Sequence, residues 1–272
     1  MNEMSYLKLD YLSNTITRFT NLEIYLPDDN MSGEDFKPPY RTLYFLPGFS
    51  NNAVSTSTYL NLRQECELKG IAVVVINGDN SFYVDHPKRL AKYSAFINEV
   101  VEKTRSLLPL SKKRVDTYIG GISMGGYGAL YNGAIYNKLF SKVAVLSPSA
   151  DCYDLIMNHP QMFDKELFEN TFGSKHDYYS SDWDLNNIYR RLPCEQVPKL
   201  LIACGEQDDL VGAGVERFRG MLKKAGIPFV DYRGEGNHEF GYWSSQLDKL
   251  FSFLAGIKPG TKTKLVVNEG VK

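Results

Sequence analysis

The amino-acid sequence predicts an α/β protein built on a mostly parallel, doubly wound sheet. Short apolar runs bounded by turn-forming residues alternate along the chain with longer segments of helical periodicity. Near-continuous apolar strands are typical of a sheet covered on both faces, and their alternation with helices favours parallel pairing. The predicted strands are RTLYFL (41–46), IAVVVI (71–76), VDTYIG (115–120), KVAVLS (142–147), KLLIAC (199–204) and PFVDYR (228–233).

The segments between these strands supply the helices. Helical periodicity marks residues 88–107, 125–137, 213–225 and 242–255. The last of them places four apolar side chains on one stripe: Leu247, Leu250, Phe251 and Leu254. A stripe of this kind packs against a sheet. The opening stretch, which contains TITRFTNLEIYLP (15–27), departs from the alternation and predicts two antiparallel edge strands.

A long insertion interrupts the alternation at residues 149–197. It contains several short helical patterns and no strong strand. We expect a helical cap over the active-site end of the sheet, with padding on a helical face as the alternative. The chain is otherwise predicted to be a single domain over residues 1–258. Residues 259–272 carry no packing signal, and we expect a flexible tail there.

The charge balance argues against polyanionic partners. Thirty-one basic residues face thirty-two acidic ones, for a net charge of −1, so no global field attracts nucleic acid or anionic lipid. A membrane helix needs about 20 apolar residues, and no stretch of the sequence approaches that length. The amino terminus also lacks a signal-peptide pattern. We therefore expect a cytoplasmic protein with no nucleic-acid or membrane partner. Whether it forms a homo-oligomer stays open.

The cysteines give no sign of a metal or a disulfide framework. Cys66, Cys152, Cys194 and Cys204 show neither CxxC spacing nor a neighbouring histidine cluster. Buried free thiols are the expectation, and we predict neither a metal nor an organic cofactor.

The stretch YIGGISMGGYGALY (118–131) carries the strongest functional signal. Ser123 falls where a predicted strand meets a predicted helix, and Gly121 and Gly125 stand two residues on either side of it. A sharp turn there leaves no room for Cβ atoms at the flanking positions, and it lifts the serine hydroxyl above the sheet at a helix amino terminus. This is the Gly-x-Ser-x-Gly nucleophile elbow. The alternatives are a plain tight turn or a phosphate-binding loop, but neither GxxxxGK[ST] nor GxGxxG fits.

A serine nucleophile needs a histidine base. Of the four histidines, His86 and His159 each precede a proline, and His176 lies in a polar run. His238 instead follows the last predicted strand and precedes the terminal helix, at the edge of the sheet where the elbow must lie. His238 is therefore the predicted base.

The acid is expected in the loop of KLLIACGEQDDL, which follows the penultimate strand. This position gives the chain order Ser, Asp, His. Asp208 is preferred, while Asp209 stays open as the alternative. Asp231 lies inside a strand pattern and ranks last.

Two backbone amides are expected to stabilise the oxyanion of the reaction. One is the N–H of Met124, directly after the nucleophile. The other belongs to the loop LPGFSNN after the strand 41–46, where Gly48 permits close approach and the Phe49 N–H is the predicted donor.

With these residues assembled, the chain resembles the esterase D group of α/β-hydrolases, and in particular its tributyrin esterase branch. The matching stretches are LYFLPGFSNN, NGDNSFYVD, GGISMGGYGAL, ACGEQDDL and NHEFGYW. The resemblance implies an α/β-hydrolase fold and a serine carboxylesterase with a triad of Ser123, Asp208 and His238. It also implies an oxyanion hole made by Phe49 and Met124. We expect a small-molecule ester with a short acyl chain as the substrate.

The oxyanion loop departs from the family pattern in one respect. The family usually has His-Gly where this chain has Pro47-Gly48. The side chain that braces the loop is lost, while the amides of Gly48 and Phe49 remain, so we expect activity to survive.

An apolar acyl or aromatic pocket is also predicted, with Tyr153, Phe163 and Trp183 in its wall and Trp243 near its base. Packing of these aromatic residues in the core is the alternative. The same triad also suits an S-formylglutathione hydrolase or an acyltransferase. From a different class, the fold could serve as a catalytically inactive binding protein.

Overall fold

A computed structural model describes residues 5–27, 37–86 and 88–261. One sheet of eight strands lies at the centre of this part of the chain. The strands are β1 (Ser5–Ser13), β2 (Arg18–Leu26), β3 (Arg41–Leu46), β4 (Ile71–Ile76), β5 (Thr117–Ile122), β6 (Lys142–Leu146), β7 (Lys199–Ala203) and β8 (Phe229–Tyr232). Their spatial order is β1-β2-β4-β3-β5-β6-β7-β8.

The pairing of the strands confirms the predicted fold class. β1 pairs with β2, and β2 with β4, in antiparallel fashion, whereas every pair from β4 to β8 is parallel. The carboxyl ends of the parallel strands therefore share one edge of the sheet. The loops after β3, β5, β7 and β8, which carry the predicted site residues, all begin at this edge.

Ten α-helices accompany the strands in the described residues. They are α1 (Ala53–Tyr59), α2 (Leu62–Lys69), α3 (Tyr93–Leu107), α4 (Met124–Ile135), α5 (Cys152–Asn158), α6 (Lys165–Phe172), α7 (Lys175–Ser180), α8 (Leu185–Arg191), α9 (Gly212–Lys224) and α10 (Phe240–Ala255). None of them is both long and apolar enough to cross a membrane. The helix predicted at 88–107 begins only at Tyr93, because the Asp85 carboxylate accepts from the Ser94 N–H at 2.8 Å and so satisfies an amide of the first turn.

Helices cover both faces of the sheet, as the apolar strands predict. Along β3, Leu43 and Phe45 point into one apolar cluster, and Tyr44 and Leu46 point into the other. The first cluster contains the predicted stripe of α10, together with residues of α1 and α2. The second contains residues of α3, α4 and α9. Strand alternation therefore divides the core into two layers.

One prediction about the cysteines is wrong. Cys66, Cys152 and Cys204 are free and buried, but Cys194 is exposed. It begins a short 3-10 turn on the connection that leads into β7, and no residue of that turn is buried.

Four short helices, α5 to α8, lie between β6 and β7, in the segment predicted to form a cap. They enclose an aromatic cluster that includes Phe168, Phe172 and Tyr178, all buried. The role of the segment as a cap stays a prediction. Of the predicted flexible tail, residues 262–272 lie outside the described residues.

Candidate active site

Ser123 lies on a sharp strand-to-helix turn. β5 ends at Ile122 and α4 begins at Met124, which leaves Ser123 alone between them with φ 52° and ψ −117°. Positive φ is strained for a residue with a side chain and persists only where the surroundings enforce it. Here the surroundings are very close: a Cβ on Gly125 would lie 1.9 Å from the Leu46 carbonyl oxygen. The tight packing explains the glycine of the motif.

His238 lies within hydrogen-bond distance of both proposed partners. Its Nε2 is 2.9 Å from the Ser123 Oγ, and its Nδ1 is 3.0 Å from the Asp208 Oδ2. An ionised carboxylate only accepts hydrogen bonds, so this network assigns the ring proton to Nδ1. Nε2 is then free to accept the proton of the serine hydroxyl, which is the arrangement that a general base needs.

Asp208 is buried and is held in place by its own loop. The backbone N–H of Val211 donates to its Oδ1 at 3.1 Å. Burial raises the pKa of the Asp208 carboxyl, but the hydrogen bonds from His238 and from the Val211 N–H outweigh it and set that pKa below its usual value. The carboxylate therefore stays ionised beside the imidazole.

The other acids and histidines considered at the sequence level lie elsewhere. Asp209 is exposed, and Asp231 forms an ion pair with Arg219 at 2.7 Å. The ring of His86 stacks on Trp183. His159 and His176 make no hydrogen bond to Ser123 in the described part of the chain. The structure thus brings together Ser123, His238 and Asp208 from the candidates.

The loop after β3 passes directly beside the nucleophile. We call residues 47–51 the oxyanion loop. A Cβ on Gly48 would lie 3.4 Å from the Ser123 Cβ, which shows how close the two backbones are. The N–H of Phe49 donates to no other group in the described residues. The N–H of Met124 belongs to the first turn of α4, where no helical acceptor exists. Both predicted donors are therefore available to a ligand.

A cavity of about 520 Å³ opens next to Ser123 and His238. Its apolar lining residues are Phe49, Met162, Phe163, Leu210, Phe240 and Trp243. The Phe163 ring meets Phe49 edge-on, with centroids 5.2 Å apart, and Trp243 meets the His238 ring edge-on at 5.0 Å. The walls are therefore largely aromatic and hold the imidazole on one side.

Two of the four predicted pocket residues line this cavity, namely Phe163 and Trp243. Tyr153 instead packs against Phe168, and Trp183 packs against Phe172, so both belong to the aromatic cluster of the 149–197 segment. The lining residues that the sequence reasoning missed adjoin predicted ones. Leu210 follows the Asp208 loop, and Glu239 and Phe240 follow His238. Proximity in the chain to Asp208 and His238 is the signal that the sequence offers for them.

Comparison with known proteins identifies the family of this chain. Residues 13–254 match the family model Esterase, described as "Putative esterase". The chain belongs to the Esterase family. This esterase is 31% identical over 270 residues to an acetyl esterase of Caldicellulosiruptor saccharolyticus, an alignment that covers 93% of this chain and 99% of that one.

Solved structures similar to this esterase include two proteins from Staphylococcus aureus. The fluorophosphonate-binding serine hydrolase FphF superimposes with a TM-score of 0.83 at 28% identity, covering 93% of this chain and 98% of its own. The S-formylglutathione hydrolase FrmB gives a TM-score of 0.81 at 28% identity, covering 93% and 99%. The fold is that of the α/β-hydrolases, and the esterase is a carboxylic ester hydrolase of the serine type.

Proposed function

We propose that this esterase hydrolyses short-chain acyl esters of small alcohols through an acyl-enzyme on Ser123. The observation that carries the proposal is the continuous hydrogen-bonded line from Asp208 through His238 to the Ser123 Oγ. Three distant parts of the chain converge on this line. A non-catalytic binding protein has no physical need for such an arrangement, so the line favours an enzyme.

The first half-reaction forms the acyl-enzyme. Ser123 Oγ attacks the ester carbonyl carbon while His238 Nε2 takes the hydroxyl proton. Asp208 keeps the imidazole oriented and stabilises the imidazolium. When the tetrahedral intermediate collapses, the bond to the leaving oxygen breaks, and Nε2 returns its proton to the departing alcohol.

The second half-reaction repeats these steps with water. His238 takes a proton from the water molecule that attacks the acyl carbonyl carbon. The bond between the acyl carbon and Ser123 Oγ then breaks, the serine recovers its proton from Nε2, and the carboxylic acid leaves.

The oxyanion of both intermediates is placed between two amides. Met124 supplies the N–H at the amino terminus of α4, where the helix dipole favours negative charge. Phe49 supplies the other N–H from the oxyanion loop. Removing one donor of this kind costs about 3 to 4 kcal/mol of barrier in serine hydrolases, so these amides are expected to contribute much of the rate.

The cavity supports a neutral ester as the substrate. Of the described residues that line it, none is a lysine or arginine, and Glu239 is the one acidic side chain among them. Glutathione carries two carboxylates beside its one ammonium group, and this lining offers no cation to pair either carboxylate. We therefore favour the reaction named for the acetyl esterase relative over the one named for the S-formylglutathione hydrolase neighbour.

A panel of p-nitrophenyl esters from acetate to octanoate, with a glutathione thioester alongside, tests the proposal. We expect turnover of acetate and butyrate, a fall beyond butyrate, and labelling of Ser123 by a fluorophosphonate. Ser123→Ala should abolish both turnover and labelling. Turnover that survives in Ser123→Ala, or a wild-type enzyme that prefers the thioester, would refute it.

A further inference from the structure

Pro47 leaves the oxyanion loop without the side chain that braces it in the resembling family, yet the loop is held from another direction. The Tyr83 hydroxyl donates to the Pro47 carbonyl oxygen at 3.1 Å, and its next acceptor, the Ile76 carbonyl oxygen, is farther away at 3.5 Å. Tyr83 lies in the loop after β4, residues 77–84, which we call the brace loop. A side chain that sequence reasoning left unassigned thus contacts the loop that carries the Phe49 amide.

The surroundings of Tyr83 are shaped to receive its ring. The side chain is fully buried. A Cβ on Gly78 would lie 2.1 Å from the ring, and a Cβ on Gly128 would lie 2.5 Å from it, so both positions must lack a side chain. Because burial raises the pKa of Tyr83 well above its ordinary value, the phenol stays protonated and remains a donor.

The brace loop holds a strained backbone to reach this position. Four of its non-glycine residues have positive φ: Asp79, Asn80, Phe82 and Tyr83. Each such residue costs of order 1 kcal/mol or more and persists only where the surrounding structure enforces it. Strain of this kind concentrates at sites where a particular geometry is required, and here the strained loop lies against the oxyanion loop.

Two hydrogen bonds to the brace loop and one within the oxyanion loop fix three consecutive peptides. In a trans peptide the carbonyl and the next amide point in opposite directions, so the bond from Tyr83 to the Pro47 carbonyl also sets the direction of the Gly48 N–H. The Gly48 carbonyl accepts from the Asn51 N–H at 3.2 Å, which sets the Phe49 N–H in the same way. Asn80 Oδ1 accepts the N–H of Ser50 at 2.6 Å.

We propose that Tyr83 is a positioning residue of the oxyanion hole: by holding the Pro47 carbonyl, it keeps the Phe49 amide aimed at the oxyanion. Asn80 holds the far side of the same turn. This role rests on the proposed ester hydrolysis. Without the phenol, the Pro47 carbonyl loses its hydrogen bond, so the Gly48–Phe49 peptide keeps its bond from the Asn51 N–H but follows a peptide that is no longer fixed, and the Phe49 amide is aimed less accurately.

Tyr83→Phe removes only the hydroxyl oxygen and so tests the role directly. Oxyanion donors act in the transition state, so kcat for p-nitrophenyl acetate should fall by about 10- to 100-fold while KM changes by less than about 3-fold. Affinity for a trifluoromethyl ketone, which forms a tetrahedral adduct with the serine, should fall by a similar factor. A merely structural role would not produce this selective loss.

Tyr189→Phe is the matched control. Tyr189 is also fully buried, and its hydroxyl donates to a backbone carbonyl, that of Leu130, at 3.0 Å. We expect a comparable change in Tm but an unchanged kcat. The role of Tyr83 is overturned if Tyr83→Phe keeps kcat within about 2-fold of wild type, if only KM changes, or if both variants lose kcat equally.

A second variant covers the case in which Tyr83→Phe does not fold. Asn80→Gly removes the other brace at a half-buried position whose positive φ glycine adopts freely. We expect kcat to fall at least about 3-fold, and an unchanged kcat would overturn the proposal. If wild-type enzyme itself turns over no ester, the proposed function fails and this role fails with it. If wild type is active and the brace variants match it, only this role fails.

Discussion

His238 Nε2 lies 2.9 Å from Ser123 Oγ, although the two residues are 115 positions apart in the chain. The distance follows from the topology of the sheet. Ser123 stands at the carboxyl end of β5, and His238 follows the carboxyl end of β8, so parallel pairing brings both to one edge. Only the loop lengths then decide whether the two side chains meet.

Asp208 is expected to matter far more than its neighbour. Asp208→Asn keeps the size of the side chain but removes the charge that holds the His238 tautomer and stabilises the imidazolium. We expect kcat to fall by about 10³- to 10⁴-fold. Asp209→Asn is the matched control, because Asp209 is exposed and makes no bond to His238, and its kcat should stay within about 2-fold. Comparable losses in the two variants would contradict the assignment. Steady-state kinetics on p-nitrophenyl acetate measure both.

Gly125 is predicted to tolerate no side chain. An added Cβ would lie 1.9 Å from the Leu46 carbonyl oxygen, which is backbone of the central strand β3 and cannot move alone. Gly125→Ala should therefore lose several kcal/mol of unfolding free energy or fail to fold, in line with overpacking in a core.

Gly220→Ala in α9 makes the contrast, because nothing lies within 4 Å of the added Cβ. Removing a glycine from a helix interior should stabilise the protein by about 0.5 to 1 kcal/mol. Urea unfolding followed by circular dichroism measures both variants. A Gly125→Ala protein as stable as wild type would show that the turn is not constrained as described.

The sheet and the chain order of the candidate site residues could be predicted because both depend on local sequence patterns. Six apolar runs predict the strands β3 to β8, and the glycines around Ser123 predict the turn between β5 and α4. The two short helices after β3 were not predicted. α1 is largely polar and α2 is only eight residues long, so neither shows a clear apolar stripe.

The pocket walls could be predicted only in part, because side-chain direction depends on tertiary packing. Phe163 and Trp183 are both aromatic residues of the same segment, yet only Phe163 turns toward Ser123. Trp183 stacks on His86 instead, a contact that no spacing in the sequence indicates. The brace from Tyr83 to Pro47 joins residues 36 positions apart through one hydroxyl, and it is equally invisible to pattern analysis.

Glu239 is predicted to select against anionic substrates. It is the acidic side chain in the cavity lining and it is exposed, so its field is modest and screened by salt. Glu239→Lys should raise kcat/KM for a glutathione thioester relative to p-nitrophenyl acetate by about 3- to 10-fold at low ionic strength. The gain should shrink in 0.5 M NaCl.

Glu235→Lys is the control for that change. Glu235 is exposed on the same loop but does not line the cavity. Its replacement by lysine changes the net charge of the protein by the same amount as Glu239→Lys. If both variants shift the substrate ratio equally, the effect comes from the overall charge of the protein and not from the cavity.

Glu65 is expected to make stability depend on pH. Its carboxyl is buried where α2 meets α10, and one of its oxygens, Oε2, has no hydrogen-bond partner among the residues that the structure describes. Burial raises the pKa of Glu65 from 4.5 to about 7, against the opposing attraction of Lys69. Lys69 is instead bonded to Asp248 at 2.8 Å. The folded protein therefore holds a proton on Glu65 that the unfolded chain has already released.

The sign of the pH effect follows from this difference. Between pH 4.5 and about 7 the folded state binds more protons than the unfolded state, so the contribution of Glu65 to stability is complete below pH 4.5 and is lost as pH rises through 7.

Glu65→Gln removes the titration. Its Tm should exceed that of wild type at pH 8 by about 2 to 4 °C, the shift that about 1 kcal/mol produces in a protein of this size. The gap should close at pH 5, where the wild-type carboxyl is protonated. Calorimetry at the two pH values, with Glu67→Gln as the control variant at a partly exposed glutamate of the same helix, separates this site from the general titration of the surface. An equal Tm gap at both pH values would show that the Glu65 carboxyl is ionised in the folded protein.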